Sequence, residues 1–178
     1  IEVTLTEMTP FQMLSAFDQP QDTSDSTEAA EGTNVGKFET TGVDGKTYTQ
    51  DIFSKYDLTM VNIFTTWCSP CVNEIPDLDK INSEYKDKGA AVYGLYGDLG
   101  MGISDDEMAQ IKDIMSNANA SYTQLRMDGT LATNESLLNI MAYPTTYVVG
   151  SDGTILDTIE GSKDYEGWKA LIDSYLAE

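Results

Sequence analysis

Histidine is absent from this 178-residue chain. That removes Cys–His hydrolase chemistry, imidazole acid–base catalysis and most zinc sites. Cysteine is nearly absent as well. There are two, Cys68 and Cys71, three positions apart. A small domain stapled by disulfides carries more of them, at wider spacing. Cationic side chains are scarce, ten Lys and Arg against thirty Asp and Glu, for a formal net charge of −20. A field of that sign repels phosphate backbones, which excludes nucleic acid as a partner, and it opposes docking on anionic lipid headgroups. Its plainest effect is to keep the chain soluble. No apolar run is long enough to cross a bilayer. The longest, Leu58 to Phe64, is interrupted by Thr59 and Asn62 and reads as a buried strand. No secretory leader is visible and the first residue is Ile1, so a missing leader is an expectation.

What is present suits one domain with additional sequence in front of it. Residues 1–34 are acidic and, after Phe17, poor in large apolar groups; they read as a tether. Met8 to Leu14 and Phe17 are the exception and would suit one short helix. A compact domain is expected over residues 35–178. Val43-Asp44-Gly45 between β-prone runs signals a hairpin. Leu58 to Thr66 is the first core strand. Ile75, Leu78, Ile81 and Tyr85 recur at helical spacing, and Gly89 suits the C-terminal cap of that helix.

Ala90 to Tyr96 reads as the next strand. Ser104 and Glu107 form a capping box ahead of a helix with Met108, Ile111, Ile114 and Met115 on one face. A short strand is expected in Tyr122 to Met127 and a helix over roughly 132–141. A second hairpin, Thr145 to Val149 and Thr154 to Ile159, precedes a closing helix bearing Tyr165, Trp168, Leu171, Ile172 and Tyr175. Strands alternating with helices, then a hairpin and a helix, predict an α/β fold with a mixed central sheet flanked by helices.

The chemistry lies at Trp67-Cys68-Ser69-Pro70-Cys71, where an apolar strand turns into a helix. Unpaired N–H groups and the macrodipole at a helix N-terminus favour an anion, so a Cys68 thiolate is stabilised there. Pro70 suits the first turn, where its missing N–H costs nothing. Cys68 precedes the helix and is the outer sulfur, hence the nucleophile; Cys71, one turn inward, resolves the mixed disulfide. Two other readings exist for the pair. A structural disulfide would close too short a loop to constrain the unfolded chain much. A zinc site would need ligands the chain lacks. No cofactor or metal is required for the redox reading.

The stretch from Val61 to Pro76 resembles the active-site strand and helix of TlpA/ResA-like thioredoxins. Tyr143-Pro144-Thr145-Thr146 resembles their cis-proline loop, and Asp152-Gly153 the hairpin that follows. The resemblance extends over about residues 35–177 and implies the thioredoxin-like fold, with an N-terminal hairpin and a helical insertion between Asp98 and Asn119. It implies a cis bond before Pro144, setting the Tyr143 backbone opposite the sulfurs, where an extended client segment pairs in β fashion. Trp67, Ser69, Pro70, Tyr143, Pro144 and Thr145 are then the substrate-binding residues. Glu74 matches the acidic residue one turn beyond the resolving cysteine. It either handles protons for Cys71 or raises thiol pKa values by like-charge repulsion; the alternative is a solvated helix carboxylate.

Pro76 interrupts one helical hydrogen bond. Asn62 stands where cytosolic thioredoxins carry a buried aspartate. Gly97 to Gly102 reads as a loop bordering the site, and Tyr96 and Tyr143 as edges of a substrate groove.

The resemblance implies a thiol–disulfide oxidoreductase outside the cytoplasm, at a bacterial cell surface or in a periplasm, anchored by lipid or a helix through a missing N-terminus. Its clients would be disulfides of exported proteins, such as apocytochrome c. A membrane electron donor of the CcdA/DsbD type would recharge it, and a monomer is expected. Two alternatives stay open: a disulfide oxidase or isomerase, and a redox-sensing module that binds substrate without turnover.

Overall fold

The structure, a computed structural model, describes residues 32–97 and 103–177. The acidic tether up to residue 31, with the helix expected near Met8, and residues 98–102 of the glycine-rich loop lie outside the described residues. Seven strands and three α-helices follow in the order β1 (Glu39–Thr41), β2 (Thr47–Thr49), β3 (Leu58–Phe64), α1 (Ser69–Tyr85), β4 (Ala90–Tyr96), α2 (Asp105–Asn117), β5 (Gln124–Arg126), β6 (Thr145–Gly150), β7 (Ile155–Glu160) and α3 (Tyr165–Leu176). Short 3-10 turns sit at Gln50–Lys55, Lys86–Lys88 and Leu131–Thr133. No described helix is long and apolar enough to cross a membrane.

The central sheet has strand order β5-β4-β3-β6-β7. β3 pairs parallel with β4 and antiparallel with β6, and β7 closes one edge antiparallel to β6. The mixed sheet expected from the sequence is therefore present. The β1–β2 hairpin forms its own two-stranded sheet, and the Gly42–Leu125 bridge ties it to the β5 edge.

Side chains alternate along each strand, so the sheet divides the interior in two. Leu58, Met60 and Phe64 of β3, with Val92 and Tyr96 of β4, pack under Ile75, Leu78 and Ile81 of α1, Ile111 of α2 and Trp168 of α3. Val61, Ile63, Tyr93 and Leu95 face the other way, against Phe38, Ile52, Phe53, Leu131 and Leu137. All three helices thus share one core, and the second is covered by the hairpin and turns. Every residue of β3 and β4 is buried.

The helix ends follow the expected local chemistry. Ser104 and Glu107 form the reciprocal capping box at α2, and Asp164 caps α3 through the Gly167 N–H. Gly89, at φ 101°, closes the turn after α1 in the left-handed region where glycine is favoured.

Two expectations need correction. The helix expected over 132–141 is only the Leu131–Thr133 turn. Its polar residues are spent elsewhere: the Asn134 amide donates to the Val35 carbonyl at 2.8 Å and the Ser136 hydroxyl to the Asn34 carbonyl at 3.2 Å. Such side-chain bonds to backbone compete with helix. Tyr96 is not a groove edge; it is buried and its hydroxyl donates to Glu107. The Gln50–Lys55 turn was not expected; the Thr49 hydroxyl starts it by accepting from the Asp51 N–H. Among the described residues, the Gly32 N–H donates to the Ile155 carbonyl.

The inner face of α1 buries Ile75, Leu78 and Ile81 in the helical core. Leu78→Ala leaves a void beneath a fully buried side chain. It is expected to cost about 2–5 kcal/mol, read as a lower denaturant midpoint at unchanged slope.

Candidate active site

Strand β3 ends at Phe64, and the buried Thr65 and half-buried Thr66 turn the chain into α1. Cys68 is the N-cap. Its backbone is extended, and its sulfur accepts from the Cys71 N–H at 3.3 Å. That donor is one of the orphan amides of the first turn, aimed at the atom that carries charge when the pair is reduced. Pro70 supplies no N–H, so Cys71 is the nearest amide that can do this. The two cysteines form a disulfide with their Cα atoms 5.3 Å apart. Cys68 keeps 6% of its surface exposed and Cys71 none, so Cys68 is the outer sulfur.

The surroundings of Cys68 come from three segments. Ser69 and Pro70 are exposed beside it. Trp67 is 65% exposed and meets Tyr143 edge to face, with ring centroids 5.6 Å apart. The Tyr143–Pro144 bond is cis, as the resemblance implies, and Pro144 is buried. Thr145 is buried too, and its hydroxyl donates to the Ala142 carbonyl at 2.8 Å. The fold thus brings Trp67 and Tyr143 together from distant sequence, whereas the Thr145 hydroxyl is engaged within its own loop. Met141, two residues before Tyr143, is exposed and was not singled out from the sequence.

Glu74 is not a solvated helix carboxylate. It is 3% exposed, on the inner face of α1. One carboxylate oxygen accepts from the Asn62 side-chain amide at 2.9 Å, the other from the Lys163 N–H at 3.2 Å. The same Asn62 nitrogen donates to the Thr146 hydroxyl at 3.0 Å. Burial dominates the carboxyl's titration and raises its pKa to about 7; Asn62, Lys163 and the nearby Trp168 indole oppose that, and Asp77 adds to it. A group that exchanges its proton near neutrality therefore sits one turn beyond Cys71. Asn62, Lys163 and Trp168 hold it, and no sequence motif marks Lys163 or Trp168 for that task. Among the described residues, no cluster of three or more His, Cys, Asp or Glu could hold a metal ion.

A sequence profile of the Redoxin family matches residues 24–171. The chain belongs to the Redoxin family. Its relatives within that family are TlpA/ResA-like thiol–disulfide oxidoreductases of the thioredoxin fold. The thiol:disulfide interchange protein DsbE of Pseudomonas fluorescens biotype C is 32% identical over 62% of this chain and 55% of its own length. A thiol-disulfide oxidoreductase ResA of Bacillus cereus is 25% identical over 65% of this chain and 60% of its own. The chain thus spans less than two thirds of the length of these relatives. A thiol:disulfide interchange protein of the thioredoxin family from Chlorobium tepidum TLS has the same fold, with TM-score 0.67 at 23% identity over 83% of this chain and 98% of that one. Cys68 and Cys71 are a Cys-x-x-Cys pair in this Redoxin member.

The raised Glu74 pKa has a consequence for stability. Between pH 4.5 and about 7 the folded protein holds a proton that the unfolded chain has released, so stability falls as pH rises through that window. A shift of this size corresponds to about 3 kcal/mol. Urea unfolding of the oxidised protein between pH 5 and 8 is expected to show that decline, and Glu74→Gln to flatten it.

Proposed function

We propose that this protein is a thiol–disulfide oxidoreductase that reduces disulfides in exported proteins by dithiol exchange through Cys68 and Cys71. The observation that carries the reading is the Cys71 N–H directed at the Cys68 sulfur at the N-terminus of α1, with Cys71 itself enclosed. In the reduced enzyme the Cys68 thiolate attacks one sulfur of the client disulfide. A Cys68–client disulfide forms and the other client sulfur leaves as a thiolate. Cys71 then loses its proton, with the Glu74 carboxylate as acceptor, and its thiolate attacks the Cys68 sulfur. That step releases the second client sulfur and leaves the Cys68–Cys71 disulfide. Two electrons have passed to the client. A membrane donor of the CcdA/DsbD type returns them.

The client chain is read as an extended segment lying against Trp67, Ser69, Pro70 and the Tyr143-Pro144-Thr145 loop. Trp67 offers exposed aromatic surface there and the loop offers backbone pairing. The work is placed outside the cytoplasm, on a monomer anchored through residues ahead of the acidic 1–34 tether. Apocytochrome c and oxidised exported proteins are the client classes. Support for the family of reactions comes from relatives named as disulfide interchange proteins and oxidoreductases.

The test is a redox-buffer titration of the pair at pH 7 with thiol trapping. A midpoint at or below about −230 mV is expected for a reductase, whereas about −120 to −180 mV would make the protein an oxidant or isomerase. In parallel, Cys71→Ser should accumulate a covalent adduct with a disulfide-bonded client and Cys68→Ser should not. Absence of exchange in the unaltered protein would leave only a binding role.

A further inference from the structure

Among the described residues, three large apolar side chains stand exposed: Trp67, Met141 and Leu156. Leu156 lies on the edge strand β7. The other two belong to the segments that converge on Cys68. Trp67 precedes it, and its ring meets Tyr143 edge to face. Met141 is two residues before Tyr143. Consecutive Cα atoms are about 3.8 Å apart, so the Met141 Cα lies within about 7.6 Å of the Tyr143 Cα. Single exposed apolar side chains are ordinary, but two beside one disulfide form a patch.

The backbone that carries Met141 is pinned on both sides. Before it, Leu137 is buried, and Leu138 and Ile140 pack on the core beneath the hairpin, as Tyr143 does after it. The Ile140 N–H donates to the Leu138 carbonyl at 2.9 Å, and the Tyr147 hydroxyl of β6 donates to the Asn139 carbonyl at 3.3 Å. On the other side the Thr145 hydroxyl holds the Ala142 carbonyl. Of the large apolar residues from 137 to 143, Met141 alone turns to solvent, with 72% of its surface exposed. The loop spends its other apolar groups on packing and holds this one out.

The surroundings of the patch are uncharged in sequence. Residues 65–73 and 136–146 contain no Asp, Glu, Lys or Arg, in a chain with ten cationic and thirty anionic side chains. Exposed aromatic and methionine side chains, with charge depleted around them, are the composition of an interface core. Methionine suits such a contact because its unbranched thioether adapts to side chains of different shape. The net charge of −20 opposes an acidic partner. A cationic side chain would find no carboxylate from these two segments to pair with and would lose hydration there.

We propose that Met141, together with Trp67, forms the contact that selects clients carrying an apolar side chain two residues from the reacting cysteine. The inference rests on the dithiol-exchange reading given above and names the substrate class for it. The offset of two follows from extended geometry. Side chains alternate in direction along an extended segment, so when the client sulfur faces Cys68 the residues two positions away face the protein as well. Met141 supplies contact area and takes no part in the transfer of electrons. It is a specificity-determining residue, and its effect belongs to binding rather than to the chemical step.

The experiment mixes the reduced full chain with disulfide-linked heptapeptides that carry Leu, Ser, Lys or Glu at both positions two from a central cysteine. Peptide thiol released in a single turnover, followed against peptide concentration, gives a limiting rate and a half-saturating concentration. The Leu peptide is expected to exceed the Ser peptide about tenfold in the ratio of the two, with Lys and Glu no better than Ser. Met141→Ser should bring the Leu peptide down to the Ser value through the half-saturating concentration, at the same limiting rate. Met141→Leu, which stays apolar, should keep the preference. Equal Leu and Ser values in the unaltered protein, or a Leu preference intact in Met141→Ser, would overturn the inference. So would a Lys preference that added salt removes, because the acidic surface would then be the selector. Self-association of the unaltered protein in sedimentation, abolished by Met141→Ser, would make this face a contact between copies of the chain instead. Each of these results leaves dithiol exchange standing. Failure of the unaltered protein to exchange with any peptide or with hydroxyethyl disulfide would remove that reading, and the client preference with it.

Discussion

Strand β3 is bonded on both edges and covered on both faces, and the remainder of the molecule is arranged around that enclosure. A strand so enclosed can release the chain only at its end. Because β4 runs parallel to it, the connection must cross back over the sheet, and a helix is the economical way to do so. The N-terminus of α1 is thereby fixed at the end of β3. β6 runs antiparallel on the other side, with Thr145 opposite Ile63, so its entry loop arrives at the same end. Trp67 and Tyr143 meet for that reason, although 76 positions separate them in sequence. The site follows from the register of one strand.

On this frame, two acidic groups are pulled in opposite directions within two turns of one helix. At Cys68 the first-turn amides and the helix dipole favour the anion. At Glu74 burial disfavours it, with three weaker donors holding the shift to about 7. The outer sulfur is thus suited to be charged and the inner carboxyl to exchange a proton. Separating the pKa values of neighbouring groups by environment is how one site can supply a nucleophile and a proton acceptor together.

Much of this was legible in the sequence, for local reasons. The strand-to-helix junction, the capping box at Ser104, the turn at Gly89 and the alternation in β3 and β4 depend on neighbours within a few residues. Misreadings came where tertiary contacts outweighed local pattern. A helix is expected over 132–141, yet Asn134 and Ser136 are drawn to the carbonyls of Val35 and Asn34, about a hundred positions away. Tyr96 reads as a groove edge but is enclosed, its hydroxyl donating to Glu107 of α2. Glu74 carried two readings until its burial was seen. The register that aligns Thr146, Asn62, Gly94 and Gln124 across four strands was illegible, since it leaves no periodicity in any one of them.

Asn62 and Glu74 are best understood as a single unit. An aspartate at position 62 would set a second carboxylate at hydrogen-bonding distance from the first, inside a region that already penalises one. Two like charges there could not both ionise, and the pair would share a proton over a wide pH range. The amide avoids this. It donates to Glu74 and to Thr146 with one nitrogen. With an amide at position 62, the titratable group of this pair is Glu74 on the helix. There it is tuned by Asn62 from the sheet and by Lys163 and Trp168 from α3 and its approach.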